Sequence, residues 1–310
     1  MQVEGPKEKT PEAKELERQH GFSYRNLLGE LIYAYVIARV DIGFAVCFLS
    51  RFASNPHHDH FVALKNVCRY LRATKDWGII YRRPKPLDDL PPGSFKWLDP
   101  NSSLPPFPSF HGDELVGVLD AAHATDLKTH RSVTGIAIYY GGAVIAWKSR
   151  LQPTVSTSST EAEFLAAVHC AKMVIYLRSI LQELNALRDG PTKLLIDNEA
   201  ALKVINECRP TPRVRHIDIQ HFAIQQWRKW GLVVMEHLPG LINASDDLTK
   251  PLSWVLHGRH ARRNMGHYNG SILTLQTSSG SVRAGESVGA NIPVVSVTEI
   301  VRAPESANSG

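Results

Sequence analysis

Eight of the 19 prolines in this 310-residue chain fall between Pro84 and Pro108. Proline removes a backbone donor and fixes φ. Neither a continuous helix nor a central strand can therefore cross RRPKPLDDLPPGSFKWLDPNSSLPPFPSF. The chain must fold as pieces on either side of a connector. The expected division is a flexible N-terminal segment (1–21), a first folded piece (22–83), the Pro-rich connector (84–111) and a larger folded piece (112–252), followed by a C-terminal extension (253–270). Residues 271–310 are rich in Ser, Gly, Val and Ala without clean periodicity and read as a flexible tail. Hydrophobic residues make up 43% of the chain and charged residues 21%, which excludes a wholly disordered chain, a coiled coil or a collagen-like fibre.

The net charge is +5. Residues 21–89 carry ten basic and six acidic side chains, whereas residues 111–252 carry fifteen of each. The basic excess thus sits in the first piece, where it permits a phosphate-facing surface without requiring one. Cys47, Cys68, Cys170 and Cys208 are scattered and form no CxxC pair, so neither zinc nor a disulfide framework is expected. The N-terminus lacks a leader-like apolar stretch. Arg39 and Asp41 interrupt the most apolar run, Leu31 to Leu49, so no membrane partner is expected.

The first piece reads as helical. Tyr24 to Phe52 is nearly continuously apolar, and His60 to Leu71 places Phe61, Leu64, Val67, Cys68 and Leu71 on one stripe. Lys65, Arg69 and Arg72 fall largely off that stripe and make a basic ridge, either a solvated face or a nucleic-acid contact. KDWGIIYRR reads as a short strand. In the larger piece five strands are expected: LVGVLD, GIAIYY, AVIAWKS, KLLID and LVVMEHL. Gly141–Gly142 forms a hairpin turn between the second and third. A helix starts at Ser158 with capping-box spacing and runs to about Leu184. Further helices are expected from NEAALKVI, from Ile217 to Lys229 and from about Ala244. The order β-β-β-α-β-α-α-β-α defines an α/β domain with a mixed sheet, a hairpin meander followed by crossovers.

Four acids stand where such a sheet builds sites. Asp120 and Asp197 end two strands, Glu163 lies near a helix start and Asp246 near another. Clustered carboxylates repel unless a cation joins them. Hard oxygen donors suit Mg²⁺ or Mn²⁺, and two such ions roughly 4 Å apart can support phosphodiester hydrolysis. Each acid also has a plainer reading: a cap or dipole partner for Glu163 and Asp246, turn initiation for Asp120 and Asp197. No GxxxxGK[ST] loop is present. Arg209, Arg213, Arg215 and His216 could meet a backbone phosphate. His216 and His221 are five apart and do not share a helix face, which speaks against zinc. Trp227 and Trp230 in QQWRKW either pack in the core or stack on bases.

Several longer stretches occur together and in order: YRNLLGELIYA, DIGFAVCFLSRFASNP, RYLRATKDWGIIY, AVIAWKSRLQPTVSTSSTEAEFLAA, LLIDNEAALKVI, RHIDIQHF and DLTKPL. Across about four-fifths of the chain, Phe22 to Tyr268, the sequence resembles the C-terminal part of a copia-type retrotransposon polyprotein. The resemblance implies a small helical thumb/connection remnant of a reverse transcriptase, followed by a ribonuclease H-like mixed five-stranded sheet with flanking helices. It implies a hydrolase that cuts the RNA strand of an RNA–DNA hybrid, with Asp120, Glu163, Asp197 and Asp246 as catalytic, metal-binding acids for two Mg²⁺ or Mn²⁺ ions. Arg69, Arg72, Arg213, Arg215 and His216 are the weaker candidates for nucleic-acid contact. Asp247 occupies an apolar slot of its motif. Departures from the family pattern are Val40 for Pro, Ala122 and His123 after the first acid, and Glu199 for Gln. No YxDD motif is present, so polymerase activity is not expected of this chain by itself, and the polymerase portion of the polyprotein becomes an expected partner. The implied location is intracellular, in a cytoplasmic particle or the nucleus. The alternative is a catalytically inactive nucleic-acid-binding remnant of the same polyprotein.

Overall fold

The structure, a computed structural model, describes residues 3–81, 107, 110, 112–207 and 215–267. The first lobe is helical. Helix α1 (Pro11–His20) starts where the Thr10 hydroxyl accepts from the Ala13 N–H, and it ends at Gly21, whose φ of 79° lies in the left-handed region. The segment expected to be flexible therefore contains a helix, although none of its residues is buried. The apolar run that follows is not one helix. Helix α2 (Tyr24–Ile37) stops, a 3-10 turn (Val40–Ile42) intervenes, and α3 (Gly43–Ser50) resumes. The break is held by charge: Arg39 forks onto Asp41 at 2.9 and 2.7 Å and also reaches the Thr74 carbonyl at 3.2 Å. Helix α4 (His58–Ala73) buries Phe61, Leu64 and Val67 against α2 and α3. KDWGIIYRR is not a strand as far as Tyr81. It is an extended segment whose Ile80 N–H donates to the Met265 carbonyl at 2.8 Å, and its remaining residues lie outside the described ones.

The second lobe is built on five strands: β1 (Val116–Ala122), β2 (Val133–Tyr140), β3 (Ala143–Leu151), β4 (Thr192–Ile196) and β5 (Val233–His237). Their order is β3-β2-β1-β4-β5. The hairpin strands run antiparallel, while β1/β4 and β4/β5 run parallel. With α5 (Ser159–Glu183), α6 (Glu199–Asn206) and α7 (Arg215–Lys229), this is the mixed five-stranded sheet with flanking helices that the pattern implied. Alternation sorts the strand residues onto two faces. Leu119, Ile136, Ile138, Leu194 and Ile196 pack with α5, α6 and α7. Val116, Val118, Ala137, Tyr139 and Leu195 pack on the other face with Val40, Leu248 and Met265. Helix α5 is long and apolar enough by length and composition to cross a membrane, but it lies along the sheet with most of its apolar residues buried.

The expected helix from Ala244 is instead a 3-10 turn (Ala244–Leu248), and the helix proper, α8, spans Trp254–Asn264. Asn243 does cap the turn, accepting from the Ser245 N–H. Pro251 lies just beyond, and a residue before proline is biased away from helical backbone, so the turn cannot propagate. The two lobes share an interface. Trp147 Nε1 donates to the Tyr35 carbonyl at 3.1 Å, and the Tyr35 hydroxyl accepts from the Ser149 N–H at 2.9 Å. Val40 of the first lobe is fully buried against the sheet, so its place in the proline slot of its motif is filled by a core contact.

Candidate metal centre

Asp120 lies on β1, where side chains alternate between faces. It shares the face of Val116 and Val118, the side on which the Ala244–Leu248 turn packs. Asp197 follows the last residue of the parallel neighbour β4, but Asp120 does not end its strand as expected: β1 runs on to Ala122, and Asp120 lies two residues past Val118, the last residue of β1 paired with β4. The capping duty in α5 falls on a different acid from the one in the cluster. The Ser158 hydroxyl accepts from the Glu161 N–H at 3.1 Å, and the Glu161 carboxylate accepts from the Thr157 N–H at 2.7 Å. Glu163, two residues further on, is released from capping and buried over the sheet edge, where Oε1 accepts from the Ala121 N–H at 2.9 Å. One carboxylate oxygen each from Asp120, Glu163 and Asp197 lie within 4.8 Å of one another.

The chemistry of this donor set fits a hard divalent cation. Oε2 of Glu163 is buried and has no hydrogen-bond partner among the described residues. Such an oxygen is costly to leave unmatched. Burial, with Asp120 and Asp197 as like-charged neighbours, pushes the Glu163 carboxyl up to about 9. Burial and Asp120 also raise Asp197. Three crowded carboxyl groups whose ionisation is opposed by burial and by one another are what a bound dication would relieve.

Asp246 stands on the turn at the edge of this triad. Burial and Asp120 push its carboxyl up to about 8, partly opposed by Lys250. Lys250 was missed in the sequence: its ammonium lies 3.0 Å from Asp246 Oδ1 and 3.7 Å from Asp120 Oδ2. Burial works against its charge, but Asp120 and Asp246 outweigh it and hold Lys250 above its ordinary range. Thr249 was missed as well; its hydroxyl donates to Asp120 Oδ2. Both residues belong to DLTKPL, which Asp246 immediately precedes. The turn sits against β2 at Gly135, the antiparallel partner of Asp120. A Cβ there would come within 2.5 Å of Thr249 Cγ2 and 2.7 Å of the Ser245 carbonyl oxygen.

Asp247 faces the opposite way. It is buried beneath the turn, with Oδ1 3.2 Å from His257 Nε2, and burial with Asp41 and Asp246 raises it well above the usual carboxylate range. Of the weaker candidates, Arg69 and Arg72 are exposed on α4 of the first lobe, Arg69 donating to Asn66 Oδ1 at 2.6 Å. Arg213 lies outside the described residues. Arg215 and His216 open α7, and their side chains lie outside the described ones. Trp227 is partly buried against the sheet core, whereas Trp230 is 62% exposed. His123 lies 3.0 Å from the Ser156 carbonyl oxygen, and Glu199 is exposed in the first turn of α6.

A chain of this architecture has relatives among mobile elements. It is 31% identical over 203 residues to the retrovirus-related Pol polyprotein from transposon TNT 1-94 of Nicotiana tabacum, a match covering 66% of this chain and 13% of that protein. The chain belongs to the retrotransposon Pol polyproteins, and its motifs are consistent with copia-type elements. It spans about a seventh of the length of those polyproteins. It is also 32% identical over 154 residues to the secreted RxLR effector protein 161 of Plasmopara viticola, a match covering 50% of this chain and 90% of that protein. Among solved structures, it is similar to LC11-RNase H1 isolated from compost, at 16% identity and a TM-score of 0.34, over 44% of this chain and 93% of that one. No protein-family model matches the chain.

Proposed function

We propose that this chain is a metal-dependent nuclease module that hydrolyses the RNA strand of RNA–DNA hybrids. The observation that carries the proposal is Glu163: freed from capping by Glu161, desolvated, and left with one oxygen unmatched beside Asp120 and Asp197. Residues 112–252 would form the ribonuclease H-like unit, and residues 22–83 a thumb/connection-like unit. The polymerase portion of the polyprotein is the partner, and the setting is intracellular.

In this reading Asp120, Glu163, Asp197 and Asp246 hold two Mg²⁺ or Mn²⁺ ions. When bound, the ions lower the pKa of an attacking water and stabilise the leaving 3′ oxygen. The rest is done by the chain. The Ala121 N–H fixes one Glu163 oxygen, leaving the other for the ion. The Thr249 hydroxyl fixes Asp120 on its lobe-facing side. Lys250 supplies positive charge at the mouth, where a phosphate would arrive. Selectivity for RNA follows from 2′-hydroxyl contacts in a minor groove, and binding should weaken steeply with salt. Arg69 and Arg72 on α4 would extend that contact.

One observation favours the second reading, a non-catalytic nucleic-acid-binding remnant: Lys250 already supplies counter-charge to Asp120 and Asp246. Cleavage of a labelled RNA–DNA hybrid separates the two. The purified chain is assayed with Mg²⁺, with Mn²⁺ and with chelator, beside Asp120→Asn. Metal-dependent RNA cuts that vanish in the variant are expected. A folded chain that cuts nothing at low salt and high protein overturns autonomous activity and leaves the binding remnant.

A further inference from the structure

The turn carrying Asp246, Thr249 and Lys250 is not fixed by the sheet alone. On one side it presses on β2 at Gly135. On the other it meets the helical lobe: a Cβ on Gly43 would come within 3.0 Å of Leu248 Cδ2 and 2.6 Å of Tyr35 Cε2. Leu248 is fully buried between the lobes. At Gly135 the Ser245 backbone leaves no room for a Cβ, while at Gly43 the Tyr35 ring and the end of the Leu248 side chain close over the glycine.

Beneath the turn runs a chain of buried polar contacts. His257 of α8 donates through Nε2 to the Asp41 carbonyl at 2.9 Å and lies 3.2 Å from Asp247 Oδ1. The Asp41 backbone is itself locked, because its carboxylate accepts from Arg39 and from the Tyr70 hydroxyl at 2.7 Å. Arg39 in turn reaches the Thr74 hydroxyl at 2.6 Å. Farther along α8, Asn264 Nδ2 donates to the Ala244 carbonyl at 3.1 Å. Helix α8 thus holds the turn at its first residue and beneath Asp247, and it is anchored on the lobe.

We infer that His257 is a positioning residue for the acidic site, through which the helical lobe sets the place of Asp246, Thr249 and Lys250 over Asp120. This rests on the nuclease reading for its purpose, but its test does not depend on cleavage. The lobe becomes part of the site: the triad of Asp120, Glu163 and Asp197 stands on the sheet and α5, and the fourth acid is delivered by the lobe.

The experiment counts Mn²⁺ bound to the full chain by electron paramagnetic resonance of the free ion. The wild type should bind two ions. His257→Ala should keep the first ion within twofold and weaken the second at least tenfold. His257→Gln, which retains a side-chain N–H for the Asp41 carbonyl, should restore the second ion to within threefold of wild type. Leu28→Ala, a cavity in the lobe core, controls for lost stability and should bind both ions normally. If His257→Ala does not fold, Tyr70→Phe decides, with an expected threefold weakening of the second ion. The inference is overturned if the wild type binds no second ion, if the variants bind both ions as wild type does, or if Leu28→Ala loses the second ion equally. Hybrid cleavage is run in parallel. Loss of the second ion in His257→Ala, with no cleavage by wild type, sinks the nuclease reading and keeps the inference. Cleavage by wild type with both ions retained in the variant sinks the inference alone.

Discussion

Asp246 and Asp247 are neighbours in sequence and belong to two carboxylate clusters of opposite character. Asp246 faces Asp120 and Lys250 at the sheet edge. Asp247 faces the lobe, with Asp41 and His257. Both clusters are buried and both contain at least two acids. They differ in their donors. At the joint between the lobes Asp41 is closed off by the Arg39 guanidinium and the Tyr70 hydroxyl, whereas both Asp247 oxygens lack a hydrogen-bond partner among the described residues, His257 Nε2 lying 3.2 Å from one of them. Around Glu163 one oxygen is left over. What separates them is the buried cation: Arg39 closes the Asp41 cluster from within, while the crowding of Glu163 by Asp120 and Asp197 leaves the triad open to a charge from outside.

The largest test of that contrast removes a central acid from each cluster. Asp120→Asn should lower metal-dependent hybrid cleavage roughly 10³-fold or more while leaving the chain folded, measured as single-turnover rates at saturating Mg²⁺. Asp41→Ala should do the reverse kind of damage. It strands Arg39, whose side chain is 10% exposed, and should cost about 3–5 kcal/mol in urea unfolding whether or not metal is present. If Asp41→Ala unfolds at the wild-type urea midpoint, the joint is not structural.

Much of the open cluster was legible because it depends on local rules. Parallel pairing of β1 with β4 brings Asp120 and Asp197 together where β4 ends, although β1 itself continues two residues past Asp120. The capping spacing at Ser158 pointed to two acids, Glu161 and Glu163, and only the fold sorted cap from site. The closed cluster was illegible because its partners are non-local. Nothing near Asp41 announces Tyr70, which lies 29 residues away, or His257, which lies 216 away. The same contacts break Tyr24–Phe52 into two helices, a break that the hydrophobic pattern does not show. At Ala244 a local signal was present and outweighed. Asn243 and two acids resemble a helix start, but Pro251 stops the turn before it can become one.

A smaller effect sharpens the role of Lys250. If its ammonium competes with a divalent ion for Asp120 and Asp246, Lys250→Met should tighten Mg²⁺ roughly tenfold, about 1.4 kcal/mol. A calorimetric titration checks this. Unchanged affinity would mean that the lysine swings clear at no cost and serves only an arriving phosphate.

The smallest effect concerns pH. Glu163 rises from 4.5 to about 9 in the folded chain, and Asp246 from 3.8 to about 8. Folding therefore takes up protons between about pH 4 and pH 9. The contribution of these two groups to metal-free stability is full below their unfolded values and is lost as pH rises through the folded ones. Mg²⁺ reverses the sense, because it binds the ionised carboxylates and must displace those protons. Added Mg²⁺ should thus raise the melting temperature more at pH 8.5 than at pH 6, by about 3 °C, or about 1 kcal/mol. Asp120→Asn should abolish the difference. Asp41→Ala, which leaves Asp120, Glu163 and Asp197 in place but loosens the turn of Asp246, should keep the part of the difference that Glu163 contributes, provided the folded fraction is still measurable. Equal Mg²⁺ shifts at both pH values in the wild type would show that the triad does not hold the protons that its burial and crowding demand. The contrast between an open and a closed cluster would then lose its electrostatic basis.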